Sequence, residues 1–323
     1  MKLVAATRVL NEADIIEAFV RHTAHTVDHH LLIDNGSVDG TVEILRALQH
    51  EGIPLTVLQT RSCSFAEEQS LTLMYRQAVQ AHQADWIVFL DADEFIDDRA
   101  LVRPLRDHLA ESQHAVLKVC LRDYHLTQDD PQDLIVPCRM PFCTPTTDNM
   151  KVIVRGNLLH RGLVIRPGSH AAVFPDGTEC PSAPEPALTY AHYPTRSPYQ
   201  WLSKSVVGWA KVVATGPAMV STGHAVHYRD PYEFLRTDPK LILRNPVLMQ
   251  PQPQTDITKD PIAYRGGDLK FTAPTDYPMR AVQVVMQYLH DLAVRHGEIL
   301  EHVNALCEVV HRGEAEVRSL YPE

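Results

Sequence analysis

The sequence is short of the features that mark several common protein classes. Its six cysteines (Cys63, Cys120, Cys138, Cys143, Cys180 and Cys307) include no C-x-x-C pair, and their scatter through 323 residues is no small-domain disulfide framework. Reduced thiols in a cytoplasmic protein, at most peripheral to the inner face of a membrane, are expected. Long apolar runs are missing. The longest uncharged stretch, residues 212–228, is broken by glycine, proline, hydroxyl residues and histidine, and is too polar to span a bilayer. Arg8, Glu12, Asp14, Glu17 and Arg21 interrupt the first segment, so it has no secretory apolar core. There is no G-x-G-x-x-G, no G-x-x-x-x-G-K-[ST] and no H-E-x-x-H, which removes the simplest dinucleotide, P-loop and zincin readings. Positive charge is in deficit, with a formal net charge of −10, so duplex DNA and other polyanionic nucleic acids are poor partners.

What is present is an ordinary globular balance, 45% hydrophobic and 22% charged, enough for a large α/β domain and an extension. The first half alternates strand-like and helix-like segments. Apolar runs at 3–7, 31–33, 54–58, 86–90 and 116–121 suit buried strands. Helical spacing appears between them: at Ile15, Ile16, Phe19 and Val20, with Asn11 as a cap, then around 42–48, 65–83 and 98–110. This βαβαβαβαβ order predicts a mostly parallel sheet flanked by helices, with ligands at the carboxyl ends of its strands. From Tyr124 to about Pro186 prolines and glycines multiply, predicting long loops and a small antiparallel excursion with strands at 152–154 and 163–165. A helix should begin near Trp201, residues 245–275 should be irregular, and a last helical stretch from 278 to 320 should break near Gly297. The predicted division is 1–197 (1–123 binding nucleotide, 124–197 forming acceptor-side loops) and a mainly helical 198–323.

Asp91-Ala92-Asp93-Glu94 follows the most apolar strand directly. Three carboxylates in four positions repel one another. A divalent cation relieves that repulsion, and hard oxygen ligands suit magnesium or manganese. The bland reading of such a D-x-D motif is a solvated, acid-rich helix start. Asp34-Asn35-Gly36-Ser37-Val38-Asp39-Gly40-Thr41 joins a strand to a helix, where small and acidic residues hold a base or ribose by hydrogen bonds or simply cap the helix with Ser37 or Asp39. Thr7-Arg8-Val9-Leu10-Asn11-Glu12 closes the first strand beside them.

These three loops, in this order, resemble those of family-two-type glycosyltransferases of the GT-A fold, most closely a bacterial subgroup. The matching strings are Asn11-Glu12 with Asp14, Asp34 to Thr41, and Ala84 to Phe95, within roughly residues 1–125. The resemblance implies an inverting enzyme that moves a sugar from a nucleotide-diphosphate donor to a carbohydrate acceptor, as in bacterial surface-glycan synthesis. It implies that Arg8, Asn11, Glu12, Asp34, Asn35, Asp39 and Asp91 bind the nucleotide, with Asp39 on the base. Asp93, Asp91 and Glu94 would form the catalytic centre, with Mn2+ or Mg2+ on Asp93 and Asp91. The family often writes two acids where this chain has Asp34-Asn35.

The second half adds weaker signals. His192, or His170, is a candidate further metal ligand, since imidazole suits manganese. Lys151, His170, Arg196 and Lys204 are candidates for the diphosphate and acceptor side, where cations stabilise the departing charge. Inversion needs a general base; Asp148, Glu179 and Glu185 fall in the loop-rich region, and the sequence does not choose among them. Val285, Leu289, Leu292, Leu300, Val303, Leu306 and Val310 form a helical stripe expected to pack on the main domain, with a homodimer through the C-terminal helices as the alternative. A nucleotidyltransferase is the rival enzyme, though Thr7 to Glu12 lacks the glycine-rich basic loop usual there. A non-catalytic nucleotide- or carbohydrate-binding protein is the rival of another class.

Overall fold

Each apolar run of the first half becomes a strand. The computed structural model describes residues 1–127, 134–223, 225–238, 240 and 256–320. Strands β1 (Leu3–Val9), β2 (His29–Asp34), β3 (Leu55–Gln59) and β4 (Trp86–Phe89) pair in parallel in the order β3-β2-β1-β4. Both faces of β1, β2 and β4 are covered, which is why they read as apolar runs and not as alternation, while β3 is a half-buried edge strand. Leu3 and Ala5 of β1 point into one core with Phe19, Leu45 and Leu48, from α1 (Ile16–Thr23) and α2 (Thr41–His50). Val4 and Ala6 point into a second core with Leu71, Met74 and Tyr75 of α3 (Glu67–Gln80). The chain therefore has helices on both faces of a GT-A-like sheet.

Beyond β4 the structure departs from the sequence reading. Glu94–Asp97 is a strand, β5; a helix expected over 98–110 is confined to α4 (Leu105–Glu111) behind Pro104. After β6 (Val116–Asp123) come a four-residue helix α5 (Val136–Arg139) and the short strand β7 (Phe142–Cys143). The next strand, β8 (Met150–Arg155), is no peripheral excursion. It inserts antiparallel between β4 and β6 in the eight-stranded sheet, of order β3-β2-β1-β4-β8-β6-β11-β5. The reason lies in its composition: Val152, Ile153 and Val154 are fully buried, as only an interior strand would leave them. Its exit is tight. A Cβ on Gly156 would meet the carbonyl oxygen of Ala84 at 2.1 Å. The small antiparallel ribbon does exist, as β9 (Val164–Ile165) with β10 (Ala172–Val173).

Strand β11 (Ala183–His192) was hidden in the sequence by Pro184 and Pro186. It runs parallel to β6 and antiparallel to β5, and its register shifts between Pro184 and Thr189, where the prolines remove ladder donors. Helix α6 (Pro198–Thr215) follows, capped by Ser197 accepting from the Gln200 amide at 3.0 Å. Then come α7 (Pro217–Ser221), α8 (Arg229–Thr237), β12 (Thr258–Lys259), and α9 (Tyr277–Leu320). The part of the expected irregular segment at 245–255 lies outside the described residues.

Helix α9 corrects two expectations. It passes Gly297 unbroken, because a lone glycine costs only about 1 kcal/mol against alanine in a helix and Arg295 pairs with Glu298 across it at 2.5 Å. Its apolar stripe packs on the main domain only in part. Leu292 joins Val284 and Tyr288 against Val207 of α6 and Val285 is half-buried, whereas Leu289, Leu300, Val303, Leu306 and Val310 are exposed. No helix of the described residues is long and apolar enough to cross a membrane.

Candidate active site

The carboxyl ends of β1, β2 and β4 open onto one cavity of about 480 Å3, closed on its far side by α6 and the loop after α7. Arg8, Asn11 and Glu12 line it from the β1 loop, Asn35 from the β2 loop, and Asp91, Asp93 and Glu94 from the end of β4. Lys151 enters from β8, His192 from the end of β11, and Lys204 and Lys211 from one face of α6; His170 stands at the rim. Eleven of the sequence-derived candidates thus share one space, as the ends-of-strands rule requires.

Charge organises its floor. Lys204 Nζ donates to Asp93 Oδ2 at 2.7 Å, Arg196 Nη1 lies at 3.6 Å, and His192 Nε2 is 3.9 Å from Asp93 Oδ1. Burial alone would raise the Asp93 pKa, but Lys204, His192 and Arg196 outweigh it and hold this carboxyl well below the usual range. Lys151 Nζ bridges Asp91 at 2.6 Å and Glu94 at 3.0 Å. Burial also opposes the charge of Asp91, and Lys151 overcomes it, so its pKa is lowered. Glu94 differs. Burial pushes its carboxyl up to about 7 against the pull of Lys151, and its Oε2 accepts from the Asp91 amide at 2.9 Å, fixing the turn. Asp91 keeps 40% of its side chain exposed to the cavity.

His192 Nδ1 lies 2.7 Å from Asp123 Oδ1. Because an ionised carboxylate only accepts, Nδ1 carries the proton and Nε2 faces Asp93. Burial works against imidazolium here, yet the Asp123 hydrogen bond and the Asp93 carboxylate raise the pKa overall. Asp123 ends β6, so strand-end logic would have found it.

Four sequence assignments move. Asp39 does not line the cavity: its carboxylate accepts from the Ala13 amide at 3.1 Å and from Thr41 Oγ1 at 2.5 Å, and pairs with Arg280 Nε at 2.9 Å. Asp34 is likewise buried in its own turn, accepting from the Gly36 amide at 3.1 Å and the Ser37 amide at 3.2 Å. Asn11 caps no helix. At φ 59° it turns back, and its Oδ1 accepts from the Val38 amide at 2.9 Å, tying the first two loops together. Arg196 is fully buried behind the cavity, with Nε on Asp14 at 2.7 Å and Nη2 on Glu12. From there it positions these acids.

The three acids of the loop-rich region, among which the sequence made no choice, fall elsewhere. Asp148 is exposed outside the cavity, Glu179 pairs with Lys118 at 2.7 Å, and Glu185 meets His108 at 2.5 Å. Two further participants left no sequence signal. Arg280 of α9 reaches Asp14 at 2.7 Å and the Asn11 carbonyl. Lys211 is buried against Arg8, and among the described residues its ammonium has no carboxylate partner; burial first, then Arg8, pulls its pKa down to about 8. Among the described residues no three His, Cys, Asp or Glu side chains form a ready-made metal cage.

A mixed, mostly parallel sheet flanked by helices, with paired acids after its fourth strand and cations facing them, is a GT-A-like arrangement. Residues 7–153 match the family described as Glycosyl transferase family 2, and this segment contains all three loops above. That segment, somewhat under half of the chain, is what resembles the family, whose members are inverting enzymes that draw sugars from nucleotide-sugar donors. No curated protein matches the chain. Among solved structures, residues 1–349 of S. aureus TarS in complex with UDP are 16% identical, covering 76% of this chain and 75% of that one with a TM-score of 0.39. The mannosyltransferase PcManGT from Pyrobaculum calidifontis, in complex with GDP-Man and Mn2+, is 14% identical, covering 90% and 87% with a TM-score of 0.41. A putative glucose-1-phosphate thymidylyltransferase from Bacillus anthracis is 12% identical, covering 50% and 73% with a TM-score of 0.32.

Proposed function

We propose that this chain transfers a sugar from a nucleoside-diphosphate donor to a carbohydrate hydroxyl, with the diphosphate lying between the D-x-D acids and the lysines of β8 and α6. The observation that carries this reading is the Asp93–Lys204 pair on the cavity floor, 2.7 Å apart. A diphosphate placed there meets Lys204 and Lys151 directly, and each lysine exchanges a carboxylate for a phosphate oxygen. The cations then stabilise the charge that grows on the leaving group as the glycosidic bond breaks.

A divalent cation fits the donor set. Magnesium and manganese are commonly held by one or two carboxylates and completed by substrate phosphates and water, so a three-residue cage is not required. Asp91 and Asp93 would hold it, with the diphosphate supplying the remainder, and His192 beside Asp93 with its tautomer fixed by Asp123. When bound, the cation supplies Lewis-acid neutralisation of the diphosphate. The residues themselves orient the donor: Asn11 and Asn35 border the nucleoside end, and Lys151 keeps Asp91 ionised. We further propose that 1–197 forms the catalytic unit and that 198–323 furnishes one wall of the cavity through α6.

Calorimetric titration of a panel of nucleoside diphosphates, with manganese and with chelator, tests this on wild type and Asp93→Ala. The reading expects one diphosphate to bind in a manner that needs both the cation and Asp93, and turnover to vanish in the variant. A well-folded wild type that binds no nucleotide, or full turnover in Asp93→Ala, would remove it.

A further inference from the structure

The exposed stripe of α9 has a period, and the period identifies its partner. Counted from Val282, apolar residues recur with alternating steps of three and four: Val282, Val285, Leu289, Leu292, then Ile299, Val303, Leu306 and Val310. His296 holds the one polar place in that series. In heptad terms the first column is Val282, Leu289, His296, Val303 and Val310, and the fourth is Val285, Leu292, Ile299 and Leu306. Four unbroken heptads at 1.5 Å per residue make a seam about 42 Å long. Gly313 takes the next fourth-column place and interrupts the seam before Val317 and Leu320.

Only the first turns of this seam border the face that docks on the protein's own body. That face is Ala281, Val284 and Tyr288, it takes in Leu292 from the edge of the seam, and among the described residues it goes no farther along the helix. Its first column stays open even where α9 is docked, with Val282 58% and Leu289 54% exposed, whereas Val285 and Leu292 are half-buried; farther out Ile299, Val303, Leu306 (65%) and Val310 are all exposed. Nothing among the described residues covers that outer length. The opposite side carries Glu298, Glu301, Asn304 and Glu308, so the helix is two-sided over its free length.

A helix packed on a globular body follows its natural 3.6-residue period; a strict seven-residue repeat keeps one seam in contact only if two helices supercoil. The covering element must therefore be a helix with the same repeat. A second copy of this chain supplies one. β-Branched residues in the first column (Val282, Val303, Val310) with Leu292 and Leu306 in the fourth favour two parallel strands, and a single polar residue in the first column fixes register. We propose that α9 pairs with α9 of a second copy in a parallel, two-stranded coiled coil that places His296 opposite His296. Two catalytic cavities are then carried on one stalk. An anionic lipid surface is the poorer occupant, because Glu298, Glu301 and Glu308 put negative charge on the same free length of helix.

The pairing is independent of what the cavity binds, and the mass of the full chain in solution reads it. Sedimentation equilibrium at micromolar concentration is expected to give twice the 36.3 kDa chain mass for wild type. Ile299→Glu with Leu306→Glu should halve it, while Glu301→Gln with Glu308→Gln on the outer side should leave it doubled. The seam variant touches nothing in the body, so its thermal transition should stay within a few degrees of wild type, and this separates lost pairing from lost folding. Orientation is read by Leu306→Cys in a Cys307→Ser background, which under oxidised glutathione should form a covalent dimer. A monomeric or trimeric wild type, a seam variant that stays dimeric, a monomer that binds anionic vesicles instead, or no covalent dimer from the Leu306→Cys variant would each overturn the proposal.

Discussion

Arg196 Nε donates to Asp14 Oδ2 at 2.7 Å, joining the turn after β11 to the loop after β1 across 182 residues of chain. Both groups are buried, and Glu12 and Arg280 complete the network. Taking one cation from such a set leaves a buried charge uncompensated, at a cost of about 3–5 kcal/mol. Arg196→Met should therefore lose stability of that order in urea denaturation and carry the donor loop with it. A loss under about 1 kcal/mol would show that water or Arg280 compensates.

Lys211 should trade stability for binding. The unfolded lysine keeps its proton to about pH 10.5, whereas the folded one releases it from about pH 8. Between those values the unfolded state binds more protons, so stability rises with pH; below pH 8 the penalty of burying the charge is constant. Lys211→Met should stabilise the protein at pH 7 by on the order of 2–4 kcal/mol, with the gain shrinking toward pH 10. It should also weaken nucleoside-diphosphate binding about ten-fold, as expected when one charge-assisted hydrogen bond is lost. Equal binding by the variant would place the ligand away from α6.

His30 is buried with neither ring nitrogen hydrogen-bonded among the described residues, and burial, helped by His29, pulls its pKa down to about 3. Its unfolded counterpart takes up a proton near pH 6.5, so the unfolded state gains protons first and stability falls as pH drops from there. His22, lowered to about 4 mainly by burial, acts in the same sense. His30→Leu should gain about 1–3 kcal/mol at neutral pH by removing unpaired polar atoms. It should also flatten the acid limb of a denaturation-midpoint profile by about one proton. An unchanged limb would mean that His30 is protonated in the folded state.

Gly156→Ala tests the entry of β8 into the sheet. The added methyl lies 2.1 Å from a backbone oxygen, which has no rotamer to yield. A loss of about 1–3 kcal/mol is expected, read as a lowered melting temperature, with no change in nucleotide affinity if the strand keeps its place.

The parallel half of the sheet was legible because β1, β2 and β4 are buried on both faces and so read as short apolar runs. The insertion of β8 was not, since Val152 to Val154 would suit any buried strand and only tertiary pairing decides where it goes. Strand β11 was concealed by Pro184 and Pro186, which local reading treats as strand breakers although a bulge admits them. At the site, Asp91, Asp93, Glu94 and Asn35 lie where strand-end reasoning put them. Asp39 and Arg196 do not, because motif spacing cannot tell an acid that faces a ligand from one that faces Arg280. Asp123 was in principle within reach as the last residue of β6, whereas Arg280, a single cation on an otherwise unremarked helix, was not.

The hold of Arg280 on Asp14, Asp39 and the Asn11 carbonyl has a consequence for synthesis. Domains fold as the chain emerges, N-terminal parts first, and β1 to β4 are complete long before residue 280 has left the ribosome. Until it does, Asp14 and Asp39 sit in their loops without this counter-ion. A nascent chain stalled short of α9 would then own a finished sheet and an unfinished donor loop, so competence to grip a nucleotide arrives as one of the last events of biosynthesis.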